Sequence, residues 1–213
     1  MTNFIPIFPL GIVVYPGENL NLHIFEPRYK QLIAECLADK KAFGIPVVIE
    51  NKMQDHGSLM EITELSKQHD NGEMDIKTKG IKVFRVLEVI KEIPEKLYSG
   101  AIVTYPDNYK KGNKEVMRKL IKSIRDLHLI LKIKKDFKKE ETDLTCYDVA
   151  HHVGLSLEEE YELLGLFDER QRQEYLKRHL TKAIPTLAGM ELLKEKIKGN
   201  GHFKNLGGFD LGK

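Results

Sequence analysis

The side chains in this chain that could do covalent or metal chemistry are two cysteines, Cys36 and Cys146, and a few histidines, notably His128, His151 and His152. A thiol attacks a carbonyl only when a base stands beside it. Cys146 and His151 are five residues apart in a helix-like segment, which does not put them on one helical face. His151 and His152 are adjacent, so on a helix they point about 100° apart and cannot readily share an ion. No Cys/His spacing of the zinc type occurs in the sequence. Cys36 falls on the apolar stripe of a short helix, where a thiol acts as a small hydrophobe. His128 borders the apolar stripe of another helix and reads as a packed, hydrogen-bonded residue. Glu158, Glu159 and Glu160 occupy a helix's first turn, where the dipole favours negative charge. No catalytic residue, metal site or cofactor is expected.

Glu26, Arg28 and Tyr29 form the other suggestive group, around Pro27. Glu26 and Arg28 could grip a charged ligand together. The alternative favoured here is a structural corner, with the planar guanidinium tying a strand-to-helix turn.

The elements that must position these residues fall into two halves. Up to about Pro106 the chain has strand periodicity. Phe4, Ile5 and Ile7 begin a first strand, and Tyr15-Pro16-Gly17-Glu18 fits a type II turn, with Gly where φ must be positive. Leu20, Leu22 and Ile24 alternate with polar residues, as in a half-buried strand. Pro27 opens a short amphipathic helix carrying Tyr29, Leu32, Ile33, Cys36 and Leu37. Strands are predicted at 43–49, 59–65, 74–79, 81–89 and 98–105, with an Asn-Gly hairpin turn at 69–72. Short, closely spaced strands with one interrupting helix suggest a small, partly open barrel.

After Pro106 the period becomes helical. Val116, Leu120, Ile124, Leu127 and Leu131 make a stripe in a helix predicted over 115–135. Shorter helices are expected from Thr145 to Val153, stopped by Gly154, and from near Leu157 and Glu169, which follow capping-box patterns. Pro185 is expected to open a last helix ending near Gly199. The expected division is therefore 1–109 barrel, 110–198 helical bundle and 199–213 a glycine-rich tail.

Charge is distributed unevenly. Residues 110–139 hold twelve Lys/Arg and three Asp/Glu, a balance of +9, and residues 140–169 hold ten acids with no Lys or Arg, a balance of −10. Two facing helical surfaces of opposite sign explain this. A basic face for nucleic acid is the alternative, carried by Lys114, Arg118, Lys122 and Arg125 at helical spacing.

The 41% hydrophobic content is that of an ordinary soluble domain. No run approaches a membrane span, and no basic region precedes the apolar N-terminal residues as in a signal peptide. Two cysteines in apolar patterns suit a reducing cytoplasm.

Several stretches carry a family resemblance. FPLGIVVYPGENLNLHIFEPRYKQLI followed by AFGIPVVI resembles the opening of the Lon protease N-terminal, or LON substrate-binding, domain. GIKVFRVLEV resembles that domain's later GxxRFRVLE strand, with Lys82-Val83 where an Arg often sits. LSLEEEYELLGLFDERQRQEYLKRHL resembles its helical part, although Gln171-Arg172-Gln173 stands in place of the usual Arg-Leu. The resemblance runs from about Phe4 to Leu187. It implies an α+β fold: a six-stranded PUA-like β pseudobarrel followed by an α-helical bundle with one long helix. It also implies a stand-alone, non-catalytic polypeptide-binding module, because no GxxxxGK[ST] phosphate loop occurs and 213 residues leave no room for a Ser-Lys peptidase. The partners this implies are unfolded or damaged polypeptides and a protease that receives them, with no membrane. Self-association stays open, and RNA or DNA binding by a PUA-like barrel is the alternative.

A surface that accepts varied polypeptides needs adaptable apolar groups, and Met supplies them. Met53, Met60 and Met74, in or beside the hairpin loops between Phe43 and Ile81, are the peptide-binding candidates. The competing reading has Met60 and Met74 filling the barrel. The junction between barrel and bundle is the second candidate region.

Overall fold

A computed structural model describes residues 2–202. Its strands are β1 (Asn3–Pro6), β2 (Asn19–Ile24), β3 (Phe43–Ile49), β4 (Lys52–Gln68), β5 (Met74–Ile90) and β6 (Gly100–Thr104). The helices are α1 (Pro27–Asp39), α2 (Lys114–Leu131), α3 (Cys146–Val149), α4 (Leu157–Leu164) and α5 (Glu169–His202). All strand pairs are antiparallel, in the order β1-β6-β5-β4-β3, with β2 added beside β5. The sheet curls until its ends meet: Phe8 N–H donates to Gly44 O at 2.7 Å and Val48 N–H to Leu10 O at 2.8 Å. These contacts close the pseudobarrel, and α1 covers one opening with Tyr29, Leu32, Ile33 and Cys36 facing in.

Two expected strands, 74–79 and 81–89, are one continuous β5. Gly80 lies between them without breaking the ladder, because it exchanges backbone hydrogen bonds with the Pro16-Gly17 turn: Gly17 N–H to Gly80 O at 2.7 Å and Gly80 N–H to Glu18 O at 2.8 Å. A Cβ there would lie 2.5 Å from Tyr15 O. β4 extends well beyond the expected 59–65, since its polar ends are held by pairing with β3 and β5 rather than by burial. The Tyr15–Glu18 turn has Gly17 at φ +92° as expected, whereas in the 69–72 hairpin turn Gly72 is at +77° but Asn71 is not in the positive-φ region, so the turn is not the two-residue Asn-Gly type.

In the helical half, α2 stops at Leu131, where Lys132 turns left-handed at φ 55°. The segment expected as one helix from Thr145 to Val153 is α3 followed by a 3-10 turn at Ala150–His152. Pro185 opens no helix; it sits inside α5, a single 34-residue helix. Pro forfeits one backbone hydrogen bond, but helix-forming residues on both sides carry the helix through. The backbone of residues 199–202 continues α5, and the rest of the expected tail lies outside the described residues.

The bundle core takes in barrel residues Val13, Tyr15, Val47 and Val83 beside α2, α3, α4 and α5. A polar joint completes this contact. Arg172, 1% exposed, pairs with buried Glu169 through Nε at 2.8 Å. Its other donors reach Asn108 Oδ1 at 2.9 Å, Tyr147 OH at 3.2 Å, Leu166 O at 2.5 Å and Tyr109 O at 3.2 Å. The guanidinium lies 4.2 Å from the centroid of the Tyr147 ring. Glu169 uses its second oxygen to accept Cys146 N–H at 2.7 Å. The linker is sewn to α5 as well, because Asn113 N–H donates to Gln173 Oε1 at 2.9 Å and Gln173 Nε2 returns a bond to Asn113 O at 3.1 Å.

On the opposite side of Tyr147, Tyr15 stacks at 5.0 Å and donates to Glu160 O at 3.1 Å. His151 bridges the two halves, with Nδ1 2.6 Å from Glu160 Oε1 and Nε2 3.1 Å from Glu18 Oε2. Two carboxylates can both accept only from an imidazolium, which donates at each nitrogen. These two hydrogen bonds raise the His151 pKa to about 9.

Two outcomes follow from the joint. Arg172→Met strands the Glu169 carboxylate in the interior and should cost about 3–5 kcal/mol in urea unfolding, with partial recovery in the Arg172→Met/Glu169→Gln double variant. For His151 the folded pKa lies above the unfolded value of 6.5, so its contribution is complete below about pH 6.5 and is lost as the pH rises through about 9. Thermal melts from pH 6 to 10 should show that loss, and His151→Gln should remove this part of the slope.

Candidate functional site

The cysteines and the histidines His128, His151 and His152 are engaged in packing or hydrogen bonds. Cys36 and Cys146 are free and buried. Burial, with help from Glu35, pushes the Cys36 thiol up to about 11, and burial plus the Glu169 carboxylate pushes Cys146 well above the usual thiol range. A protonated, enclosed thiol is a poor nucleophile. His128 is buried and its Nε2 donates to His152 O at 3.1 Å. His152 packs against Phe137 at 5.0 Å, and burial lowers its pKa to about 4. His151 is committed to its two carboxylates. The acidic run likewise has structural roles: Glu159 closes the α4 capping box, and Glu160 holds His151.

The corner residues pair with each other. Arg28 donates to Glu26 at 2.9 Å through Nε and at 2.7 Å through Nη2. The guanidinium also lies 4.5 Å from the Tyr29 ring centroid, and that ring stacks on Phe8 at 3.8 Å. The group tightens the entry to α1.

The methionine surface is corrected by the structure. Met60 is wholly enclosed and Met74 is buried, both in the barrel core among Phe43, Ile45 and Ile76. Met53 is half-buried against the cluster of Ile5, Leu59 and Phe84. Both fall within the predicted strands 59–65 and 74–79; alternation along β5 turns Met74 inward with Ile76, and Met60 is turned in beside the register shift between Leu59 and Met60.

The basic stripe is partly neutralised, as facing charges should be. Arg118 pairs with Glu115 at 2.9 Å, Arg125 with Glu141, and nearby Lys139 with Asp148 at 2.6 Å. Lys114 and Arg118 line a groove of about 430 Å³ between the start of α2, residues 141–145 and the start of α5, together with Lys110 and Lys111. Glu141, Asp143 and Glu169 line it too, so it has mixed sign.

Accessible apolar surface gathers around α5 instead. A groove of about 350 Å³ runs between α2 and α5, lined by Val116, Leu120, Leu180, Ile184 and Pro185. A second, of about 690 Å³, lies on the other side of α5, against Leu127, Leu131, Val153 and Leu187. Beyond both grooves α5 continues past its partners. There Met190, Leu193 and Ile197 are 61%, 59% and 64% exposed, at i, i+3 and i+7 spacing on one helical face, with Leu192 beside them. The sequence carried this signal, but a helix opened at Pro185 reads as one more bundle member with its stripe inward. Only the length of α5 shows that the stripe projects.

One group among the described residues could share a cation: His23, His69 and Asp75. It was missed because its members lie 52 and 6 residues apart along the chain and meet only through strand pairing. No helix among the described residues is long and apolar enough to cross a membrane.

Residues 5–182 match the family model described as the ATP-dependent protease La (LON) substrate-binding domain. Among solved structures the chain is similar to a Lon N-terminal domain protein from Xanthomonas campestris, at 22% identity over 83% of this chain and 98% of that one, with a TM-score of 0.65. It is also similar to the N-terminal domain of the Mycobacterium avium complex Lon protease, at 14% identity over 85% and 100%, with a TM-score of 0.61. Both share its fold, a curled antiparallel sheet followed by helices. The closed six-stranded sheet, the helical half joined to it and a family match over most of the sequence place this chain in the LON substrate-binding domain family.

Proposed function

We propose that this chain is a polypeptide-binding module that makes and breaks no bond itself, holding unfolded or damaged segments for a protease partner in a reducing compartment such as the cytoplasm. The observation that carries the reading is the apolar surface on α5, from the Ile184–Leu187 grooves to the projecting Met190, Leu193 and Ile197. Flexible Met and branched Leu and Ile side chains accept varied apolar partners. Lys119, Lys177 and Lys182 stand beside the grooves and keep the unliganded surface in water. Membership of the substrate-binding family supports the same reading. Against catalysis, both thiols are buried with raised pKa values.

Nucleic-acid binding is the weaker alternative, because Arg118 and Arg125 are engaged by Glu115 and Glu141. The test is fluorescence anisotropy with a reduced, carboxymethylated model protein that cannot fold. The wild-type chain should bind it with little dependence on salt. Met190→Glu, Leu193→Glu and Ile197→Glu should each weaken binding roughly tenfold, as expected for losing one buried apolar anchor. Binding that is unchanged in the triple variant, or absent at tens of micromolar protein, overturns the assignment to α5. A steeply salt-dependent shift with RNA or DNA in place of the polypeptide would favour the basic stripe.

A further inference from the structure

We propose that His23, His69 and Asp75 form a binding site for a divalent transition-metal cation of the zinc type, at the tip of the β4–β5 hairpin. The backbone brings the three together. β2 pairs with β5 so that His23 lies directly opposite Asp75. The hairpin turn holds His69 next to them, with Gly72 N–H donating to His69 O at 2.9 Å and His69 N–H to Glu73 O at 2.8 Å.

The side chains converge as ligands must. His23 Nδ1 is 2.7 Å from one Asp75 oxygen and His69 Nε2 is 2.8 Å from the other. One potential ligand atom from each residue lies within 4.8 Å of the other two. Metal–ligand bonds of about 2.0–2.1 Å in a tetrahedron put neighbouring ligand atoms roughly 3.3 Å apart. Seating the ion requires these two contacts to open by about half an ångström and the remaining ligand separation, within 4.8 Å, to reach the same spacing. This needs side-chain movement only, and all three side chains are partly exposed.

A fourth residue supports the assignment. His23 Nε2, the nitrogen turned away from Asp75, is 3.3 Å from Glu73 Oε2. A ligating imidazole characteristically donates its second N–H to a carboxylate, which fixes tautomer and ring orientation. Glu73 is so placed for His23 and acts as a positioning residue. The cation replaces the protons on His23 Nδ1 and His69 Nε2, which pass to solvent, while His23 keeps its Nε2 proton and donates it to Glu73. Two imidazoles and one carboxylate favour Zn²⁺, Co²⁺ or Ni²⁺ over Mg²⁺ and Ca²⁺, which take oxygen ligands. Three protein ligands leave a fourth position for water. A filled site cross-links β2 to the hairpin, remote from the α5 surface, so its test is independent of polypeptide binding.

The experiment is calorimetric titration of the full, tag-free chain with ZnCl₂, alongside visible spectroscopy with Co²⁺. One equivalent should bind, and Co²⁺ should give the intense visible bands of a tetrahedral site. His69→Gln and His23→Gln should weaken binding at least tenfold with unchanged circular dichroism, and Glu73→Gln should weaken it by about tenfold through orientation alone. Excess Mg²⁺ or Ca²⁺ should not compete. If a substitution disturbs folding, NMR of the wild-type chain still decides: Zn²⁺ should shift the His23 and His69 imidazole signals and leave those of His128, His151 and His152 unmoved. The proposal falls if titration detects no stoichiometric binding, if the His→Gln variants bind as well as wild type, or if other histidines respond instead.

Discussion

The structure depends on one buried ion pair. Arg172 and Glu169 are one helical turn apart on α5, and neither is exposed enough to be solvated. A buried charge is tolerated only when paired and when its remaining hydrogen-bonding capacity is filled. Arg172 meets that condition by collecting the side chain of Asn108, the carbonyls of Tyr109 and Leu166, and the hydroxyl and face of Tyr147. Each partner comes from a different part of the chain: the linker leaving the barrel, α3 and the loop after α4. The pair therefore fixes where α5 starts relative to everything else. From that fixed start, the 34-residue α5 runs on to turns where Met190, Leu193 and Ile197 are exposed.

Position and binding surface are linked through this geometry. The first turns of α5 are spent on the joint and the middle turns on packing against α2, through Leu176 and Leu180. In the last turns Met190, Leu193 and Ile197 are exposed, and this apolar face is what the proposed polypeptide contact uses. His151 adds a second tie between the halves, between Glu18 on the barrel turn and Glu160 on α4. Its dependence on a protonated imidazole makes the joint weaker in alkali, while the buried Arg172 guanidinium keeps its charge throughout.

The barrel shows the same economy at its far side. β2 is a short strand added beside β5, off the main strand path. It places His23 against the β4–β5 hairpin, where His69, Glu73 and Asp75 gather. In the absence of a cation the two imidazoles share one carboxylate, which already ties strand to hairpin, and a metal ion at the same point would replace hydrogen bonds with coordination. The two proposed functions thus use different residues of the molecule, one set on exposed apolar turns of α5 and the other on a polar hairpin tip.

Much of this was legible locally. Alternation of Leu20, Leu22 and Ile24, glycines in turns that need positive φ, the Ser156 capping box and the α2 stripe each depend on neighbours a few residues away, so local sequence determined those elements. The apolar surroundings of Cys36 and Cys146 were legible for the same reason, and both thiols are buried. Tertiary structure alone decided the rest. Whether Gly80 interrupts a strand depended on Tyr15 approaching from far along the chain, and Pro185 could lie within a helix because flanking turns and packing offset one missing hydrogen bond. Met60 and Met74 lie in strands the sequence predicts, but which face of each strand is enclosed was decided by the pairing of β4 with β5 and by the packing of α1 over the barrel. In the sequence Arg172 and Gln173 are only a departure from the family's usual Arg-Leu, yet they are buried, because burial of a charge is settled by partners that only folding assembles. Short-range spacing determines periodicity, but long-range pairing determines which groups lose their water, and on that turned the joint, the projecting helix and the histidine cluster.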